Sequence, residues 1–454
     1  MAETIAAIAT AQAAASVGMV RISGDGARAV CDRVFRAASG ALLADSPGYR
    51  AYYGWVAQGE ERIDEAVALV FAAPHSYTGE DVVELTCHGG MHLVRRLLRA
   101  VLEAGARPAE AGEFTRRAFI NGKMDLTQAE AVMDLIGAQG DSAARCALAA
   151  REGALGRRLE GITQSLTETA AWMAAWADFP EEDIPAVERP RLLEALQAQR
   201  QILEHMLGQF DQGRMLREGI STVIAGRPNA GKSALMNRLT GRESSIVTDI
   251  AGTTRDVVEE TVRLGDVVLR LADTAGLRET DDEVERLGVE RTRQRLAECD
   301  LVLAVFDCSR PLSQEDRELM SLCPKGRSIA VINKEDLPPV WEESELSADF
   351  TSRVTLSAMT GTGMNRLEKT VTDLLGLSAM DTSQGMLANE RQRACLERGM
   401  AALDEAIQAV RDGITLDAVS VCLDGTLEAL LECTGQRVSD HVVDAVFHRF
   451  CVGK

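Results

Sequence analysis

The chain has 454 residues, of which 46% are hydrophobic and 26% charged, and its formal net charge is −20. At this length the composition predicts a globular protein of roughly two to four domains. The negative charge excludes a general nucleic-acid coat, so any RNA contact would need a local basic patch or a partner's surface. No apolar run approaches the ~18 residues of a membrane helix. The ten cysteines form no C-x-x-C pair and no secretory signal is evident, which favours a cytoplasmic protein.

Residues 1–118 have mixed strand and helix patterns and predict a small α+β domain. The strand candidates are Thr4–Thr10, Val17–Ser23, Tyr52–Val56, Ala66–Ala72 and Val82–Cys87. A helix is predicted over Met91–Glu103. Arg21 and Glu84 each lie in an otherwise apolar strand. Each side chain therefore either faces solvent or belongs to a polar pocket, and composition leaves both alternatives open.

Three potential metal ligands lie close together in the sequence, at Cys87, His88 and His92. Two histidines four residues apart, without an E-x-x-H frame or further ligands, do not make a zinc site. We therefore predict that these residues bind no metal.

From residue 119 the pattern is helical up to Trp176; a turn-rich acidic break over Phe179–Pro185 follows, and an apolar helical stripe then runs along Arg191–Met215. Helical patterns return over residues 386–411, 415–433 and 438–450. Neither set has enough strongly apolar residues to fold alone, so 119–217 and 380–454 predict one discontinuous helical domain with the intervening residues inserted in it. Four arginines of the first part are either an RNA-facing stripe or a solvated helix face: Arg145, Arg151, Arg157 and Arg158.

Residues 218–379 alternate strand and helix and predict an open α/β domain with its site at the carboxyl edge of the sheet. The strand Ile220–Ala225 leads into the loop Gly226–Ser233, which fits G-x-x-x-x-G-K-[ST]. Such a loop wraps phosphates with its N–H groups, while Lys232 supplies charge and the Ser233 hydroxyl is a ligand for Mg²⁺. Its other candidate nucleotide contacts are Asn229, Ala230, Gly231 and Ala234. Further strands are predicted over Glu260–Leu264, Val267–Leu271, Leu301–Phe306, Ser328–Ile332 and Val354–Ser357.

Four further loops complete a guanine-nucleotide site. Asp273 ends a strand and suits a carboxylate that reaches Mg²⁺ through water, with the N–H of Gly276 placed for a γ-phosphate. Asp336, in an Asn-Lys-x-Asp loop, can accept both N–H groups of the guanine edge, a pair that adenine does not offer. Thr254, about twenty residues after Ser233, is the candidate for a second hydroxyl ligand of Mg²⁺. The candidate nucleotide contacts in these loops are Thr248, Thr254, Asp273, Thr274, Ala275, Gly276, Asn333, Lys334, Asp336, Ser357 and Ala358. The motifs predict a GTPase; an ATPase, the alternative, would need a different base-binding loop.

The Asp-Thr-Ala-Gly segment is followed by Leu277 rather than by a glutamine that could orient water. Another group must do so, and the acids just downstream are candidates: Glu279, Asp281, Asp282, Glu283 and Glu285. Most of this acidic run is expected to be solvated loop, with one member acting in catalysis.

Several motifs give the whole chain a resemblance to the bacterial tRNA modification GTPase family MnmE, also called TrmE. They are Ser76–Asp81, His88–Gly90, Gly112–Thr115, Lys123–Glu130, Asp249–Asp256 and Phe450–Lys454. The resemblance implies a multidomain α/β plus α protein. An N-terminal α+β domain would bind folate and form a homodimer, and a discontinuous helical domain would carry an inserted Ras-like P-loop G domain.

The same resemblance implies a K⁺-stimulated GTPase that works with an FAD-dependent flavoprotein, MnmG or GidA. Together they would modify carbon 5 of the wobble uridine of certain tRNAs to the aminomethyl or carboxymethylaminomethyl form. The one-carbon donor would be a tetrahydrofolate derivative, either 5-formyl- or methylene-tetrahydrofolate.

Residue roles follow from the resemblance. Arg21, Glu84, Lys123 and Lys454 would contact the folate. Asn229 would bind K⁺, whose shell Thr248, Ile250 and Thr253 would complete. A K⁺ beside the phosphates can replace an arginine finger, and here it would act only when two G domains face each other. Glu285 would orient water through a bridging water.

Cys451 matches a cysteine that the family uses. From the residues alone there are two alternatives for this thiol. The nearby His448, Arg449 and Lys454 would favour the thiolate, or Cys451 is a small buried residue at a helix end.

One segment departs from the family pattern. The family usually carries a Pro/Gly/Arg-rich loop after the first strand, whereas this chain has the alanine-rich Ala11–Gly18. A functional alternative also remains, namely a GTPase switch that gates the assembly of another particle without modification chemistry. The N-terminal motifs and Cys451 favour the enzyme.

Overall fold

The computed structural model describes residues 3–178, 187–241, 260–271, 294–346 and 350–454. The chain divides into two compact units. The first comprises residues 1–133, 151–196 and 401–454, and the second comprises residues 134–150 and 197–400. The domain boundaries predicted from the sequence, after residues 118, 217 and 379, remain a prediction.

The first unit contains a seven-stranded sheet in the order β3-β4-β5-β6-β2-β1-β7. The strands are β1 Ile5–Ile8, β2 Val17–Ser23, β3 Phe35–Ala37, β4 Arg50–Gln58, β5 Glu61–Phe71, β6 Val82–His88 and β7 Arg107–Pro108. Neighbours are antiparallel except for the parallel pair β1–β7. Alternate residues such as Val20, Ile22 and Leu85 enter a core with the helices Ala27–Val34 and Met91–Glu103, as the period of two along a strand requires.

The remaining helices with all of their residues in the first unit are Glu113–Ile120, Ala154–Asp178, Leu416–Thr434 and Asp440–Phe447. Among the described residues, four helices have residues in both units: Leu126–Gly137, Asp141–Arg151, Arg189–Gly208 and Glu390–Arg411. Phe447 and Phe450 pack with Leu126 and Ala129 in a buried apolar cluster. This cluster brings residues from the end of the printed sequence beside segments near residue 120.

The second unit contains a six-stranded sheet in the order β13-β12-β11-β8-β10-β9. The strands are β8 Ile220–Ala225, β9 Glu260–Leu264, β10 Val267–Leu271, β11 Leu301–Asp307, β12 Ser328–Asn333 and β13 Ser352–Thr355. All pairs are parallel except the β9–β10 hairpin. Every residue of β11 is buried, and all but its last residue, Asp307, are apolar, as is typical of a parallel strand covered on both faces. The unit's helices include Phe210–Glu218, Lys232–Thr240, Gln314–Leu322 and Met364–Leu374, and all but the last residue of Asp141–Arg151.

The turn of the β9–β10 hairpin contacts the start of the helix Asp141–Arg151. Asp266 Oδ1 accepts a hydrogen bond from the Asp141 N–H at 3.1 Å, and Oδ2 accepts one from Ser142 Oγ at 2.7 Å. Arg145 of the same helix lies 3.4 Å from Asp266 Oδ2. Asp266 therefore satisfies donors at a helix N-terminus, which a residue from another segment of the chain can do as well as a local cap.

Several sequence predictions are confirmed, including the hairpin strands and the helix Met91–Glu103 with their predicted bounds. The stripe Arg191–Met215 is divided between two helices, Arg189–Gly208 and Phe210–Glu218, which adjoin Gln209. The strand predicted over Val354–Ser357 is wrong at both ends, because the observed strand is Ser352–Thr355. Ser357 already belongs to a loop, in which its N–H donates to the carbonyl of Thr362 at 3.0 Å. No helix among the described residues is long and apolar enough to cross a membrane.

Candidate functional site

The glycine loop lies between β8 and the helix Lys232–Thr240, so the helix begins within the predicted phosphate site. Gly231 precedes this helix with φ +100°, a left-handed conformation that favours glycine. A Cβ there would also clash with the side-chain amide of Asn333. Asn229 has φ +62° and its side chain is exposed. The loop therefore presents backbone N–H groups at a helix N-terminus, which is favourable for anions.

The lysine of the loop is held on the loop itself. Lys232 Nζ donates to the carbonyls of Gly226 at 2.8 Å and Arg227 at 2.9 Å. Burial lowers the pKa of this ammonium group. Arg227 in turn lies 3.3 Å from the carboxylate of Asp316, which is 1% exposed. These contacts fix the loop between its own lysine and the helix Gln314–Leu322.

Asn333 joins the phosphate loop to the loop that follows β13 and carries Ser357 and Ala358, which we call the base loop. Its Nδ2 donates to the Ala230 carbonyl at 3.0 Å, and its Oδ1 accepts from the Ala358 N–H at 3.0 Å. The residue is 2% exposed, so water does not compete strongly for these bonds. One buried side chain thus sets the separation between the two loops.

The rest of the Asn-Lys-x-Asp segment is a rigid turn. Lys334 has φ +69° and its Nζ lies 2.6 Å from Asp307 Oδ2. Although burial opposes ionisation of Asp307, the hydrogen bonds from Lys334 and Ser309 hold its pKa below the usual value. Leu337 N–H donates to the Lys334 carbonyl at 2.8 Å, and Asp336 between them is exposed. The Asp336 carboxylate is therefore accessible to a ligand.

The base loop after β13 is closed by its own serine. Ser357 is 1% exposed; its Oγ accepts from Thr360 N–H at 3.1 Å, and its carbonyl accepts from Gly361 N–H at 2.8 Å. Arg238, from the helix that follows the phosphate loop, donates to the carbonyls of Ala358 and Met359. Arg238 belongs to no recognised motif, so the sequence alone gives it no role in the site. The only available signal was its position one to two helical turns after Lys232.

The structure brings together the predicted residues of the phosphate loop, the Asn-Lys-x-Asp segment and the base loop. Ser233 and Ala234 are exposed in the first turn of the helix. The other predicted residues lie outside the described part of the chain: Thr248, Ile250, Thr253, Thr254, Asp273, Thr274, Ala275, Gly276 and Glu285.

A second polar cluster, formed by Arg21, Glu84 and Lys454, lies in the first unit. Arg21 and Glu84 are register partners on β2 and β6, and NH2 of Arg21 lies 2.8 Å from Glu84 Oε1. Their side chains are 15% and 14% exposed. The guanidinium also lies 5.5 Å from the ring centre of Tyr77 and 5.8 Å from that of Phe114. Both strand charges therefore belong to a polar pocket and do not face open solvent.

Residues 450–454 complete this cluster. Arg21 NH1 lies 3.5 Å from the Gly453 carbonyl. Burial and then the Arg21 charge lower the pKa of the half-buried Lys454, against the opposing effect of Glu84. Gly453 has φ +102°, and a Cβ there would meet the Ile8 carbonyl oxygen. Only glycine suits that close approach of two backbones.

The other residues named in this region have separate environments. Lys123 Nζ donates to the Pro74 carbonyl at 3.0 Å. Cys451 is exposed and so is not the buried small residue of the second alternative. His88 Nδ1 lies 3.0 Å from Asp64, while Cys87 is buried. Within the described residues, no group of three His, Cys, Asp or Glu side chains could hold a metal ion.

Comparisons with known proteins cover the whole chain. Residues 4–123 match the family model "GTP-binding protein TrmE N-terminus", and residues 126–451 match "MnmE helical domain". The chain is similar to the tRNA modification GTPase MnmE of Symbiobacterium thermophilum, with 46% identity over 100% of this chain and 99% of that protein. It is 42% identical to the protein of that name from Geobacter sulfurreducens, with the same coverage. Among solved structures, the G domain of the T. maritima FeoB iron transporter aligns with 34% of this chain and 98% of its own, at 22% identity and a TM-score of 0.26.

Proposed function

The chain belongs to the tRNA modification GTPase MnmE family, a GTP-hydrolysing group, and from that premise we propose a K⁺-stimulated GTPase of wobble-uridine modification. With an FAD-dependent MnmG-type partner it converts carbon 5 of the uridine to the aminomethyl or carboxymethylaminomethyl form. The observation that carries the proposal is full-length identity of 46% to a named tRNA modification GTPase. The alternative of a switch without modification chemistry has no comparable support.

The nucleotide site supports the hydrolytic part of this proposal. GTP phosphates would accept hydrogen bonds from the N–H groups of residues 229–234, and Lys232 would exchange its bonds to loop carbonyls for the β/γ-phosphates. Asp336 would accept the two N–H groups of the guanine edge, while Asn333 keeps the phosphate and base loops at a fixed separation. Glu285 would orient the attacking water through a bridging water, on the family resemblance.

The glycine loop and the first turn of its helix carry side-chain oxygens that could bind cations. The side chains of Ser233 and Asn229 are exposed there, and hydroxyl and amide oxygens are suitable ligands for hard cations. Ser233 and Thr254 would hold Mg²⁺. Asn229, with oxygens of Thr248, Ile250 and Thr253, would hold K⁺. Bound there, the cations would supply positive charge where negative charge develops during phosphoryl transfer.

The polar cluster of Arg21, Glu84 and Lys454 supports a folate site. A pterin ring has a polar edge and flat apolar faces, and this cluster offers a carboxylate and two cations beside the rings of Tyr77 and Phe114. The chain's own residues would bind and orient the ring. Lys123, which the resemblance also assigns to folate, would contribute by leaving its bond to Pro74. The bound tetrahydrofolate derivative would supply the one-carbon unit.

The organisation of the complex completes the proposal. Residues 1–118 would form the folate-binding and dimerising domain, and 218–379 a G domain inserted in a helical domain made of 119–217 and 380–454. Two such chains would form a cytoplasmic homodimer that binds tRNA with the flavoprotein. The exposed Cys451 would act in the modification chemistry.

Two measurements test the proposal. GTP turnover by the purified full chain should be much faster in K⁺ than in Na⁺, because the proposed site is one for K⁺ and Na⁺ is the smaller ion; equal rates would exclude the cation role. Mass analysis of wobble nucleosides from cells lacking this protein should show loss of the aminomethyl and carboxymethylaminomethyl uridines. An unchanged nucleoside profile would favour the switch alternative.

A further inference from the structure

Arg238 makes a second link between the phosphate-binding helix and the base loop, independent of Asn333. Its Nε donates to the Ala358 carbonyl at 3.1 Å, and NH2 donates to the next carbonyl, that of Met359. The guanidinium also lies against Gly361, where an added Cβ would be 3.5 Å from Cζ. One rigid, planar donor group therefore holds two successive peptide units of the loop.

This contact fixes the direction of a backbone donor. In a planar trans peptide the C=O and the following N–H point in opposite directions. The Ala358 carbonyl points to Arg238, so the Met359 N–H points away from it. That N–H donates to no acceptor within the described residues, and Met359 is 80% exposed. By contrast, the neighbouring N–H groups of Ala358 and Thr360 are bound to Asn333 Oδ1 and Ser357 Oγ.

We propose that Arg238 is a positioning residue for guanine recognition, which holds the base loop so that an N–H of the loop meets the 6-carbonyl oxygen of the base. Guanine presents an acceptor at that position, whereas adenine presents an amino donor. The inference rests on the proposed role of Asp336, Ser357 and Ala358 in base binding. It adds a residue that acts on the base through the loop and not by touching it.

A comparison of two ligands separates positioning from general support of the fold. The full-length chain is titrated by calorimetry with GDP and with 2-aminopurine riboside diphosphate, which keeps the 2-amino group but has hydrogen in place of the 6-oxygen and no proton on N1. The loss of the N1–H bond to Asp336 weakens this ligand in parent and variant alike, so the change from parent to variant is compared for each ligand. Arg238→Met, which removes all donors but keeps an apolar stem, should weaken GDP binding about tenfold, the value of roughly one hydrogen bond. Its affinity for the 2-aminopurine ligand should stay within about twofold of the parent value.

Two further variants complete the design. Arg238→Lys keeps the charge but not the two-pronged donor, so its GDP affinity should lie between those of the parent and Arg238→Met; it also provides the test if the methionine variant does not fold. Arg317→Ala removes an exposed arginine from another helix of the same unit and should leave both affinities unchanged.

The outcomes are distinct. Equal weakening of both ligands in Arg238→Met, or no weakening of GDP, would overturn the inference. If instead the parent protein bound ADP as tightly as GDP, the proposed base site itself would be wrong.

Discussion

The nucleotide site and the polar cluster of Arg21, Glu84 and Lys454 are assembled in different ways. The nucleotide site uses loops that follow β8, β12 and β13, all parallel strands that end at one edge of one sheet. The polar cluster needs residues from two strands and from a segment 432 positions later in the chain. Motif spacing therefore encodes the first site, whereas the second depends on contacts that spacing does not describe.

The largest expected effect is on GTP hydrolysis, which Lys232→Ala should reduce without changing the polar cluster. Lys232→Ala removes the positive charge that faces the phosphates, so GTP hydrolysis in a single-turnover assay should fall on the order of a thousandfold. Folate binding by the same variant should be unchanged, because all the described residues of the polar cluster belong to the other unit. Residual turnover within about tenfold of the parent would contradict the role of Lys232.

The next effect is on stability of the polar cluster. Arg21→Met leaves the largely buried Glu84 carboxylate without its partner and should lower the free energy of unfolding by about 2 kcal/mol, measured in guanidinium chloride. The double change Arg21→Met with Glu84→Met should restore part of that loss and not all of it, because it removes the unpaired carboxylate but also takes a nearby negative charge from Lys454. GDP affinity should be unchanged in both variants. A double variant less stable than the single would show that the pair contributes in another way.

Two glycine-to-alanine variants test the close approach of the backbone at Gly453 to the backbone at Ile8. Gly453→Ala must place a Cβ against the Ile8 carbonyl at positive φ, at an expected cost of about 2–3 kcal/mol in thermal or chemical unfolding. Gly40→Ala is the matched control, because Gly40 also has positive φ, +75°, but nothing lies within 4 Å of its added Cβ. The control should therefore cost only the conformational part, about 1 kcal/mol. Equal losses would mean that the contact with Ile8 is unimportant.

The smallest expected effect concerns the hairpin turn in the second unit. Asp266→Ala removes the acceptors at the start of the helix Asp141–Arg151 and should cost about 1 kcal/mol. Burial opposes ionisation of Asp266, but hydrogen bonds from Ser142 and Asp141 hold its pKa below the usual value. Its contribution is therefore fully present above pH ~4, the range of an unfolded aspartate, and is lost as pH falls through the lower folded pKa. Parent and variant stabilities should converge in acid; a constant difference would contradict this.

The sequence predicted the parts of the molecule that are determined by local patterns. The apolar strands of the second unit and the phosphate and base loops depend on periodicity and fixed spacing, and the structure has them within a few residues of the predicted bounds. The short helix Ala27–Val34 was missed because its four buried residues, Ala27, Val30, Cys31 and Val34, span only about two helical turns, which is too short for a helical period to stand out. Arg238 was missed because its value comes from two carbonyls more than a hundred residues away.

The position of Gly453 beside Ile8 has a consequence for synthesis of the protein. The early sheet can pair Arg21 with Glu84 as soon as β6 has left the ribosome, but Gly453 and Lys454 are made 432 or more residues after Arg21. At ~5–20 residues per second, that interval is roughly 20 to 90 s. A nascent chain would therefore spend that interval with this cluster lacking one of its cations, and it would gain the capacity to hold a ligand there only after Lys454 has been made.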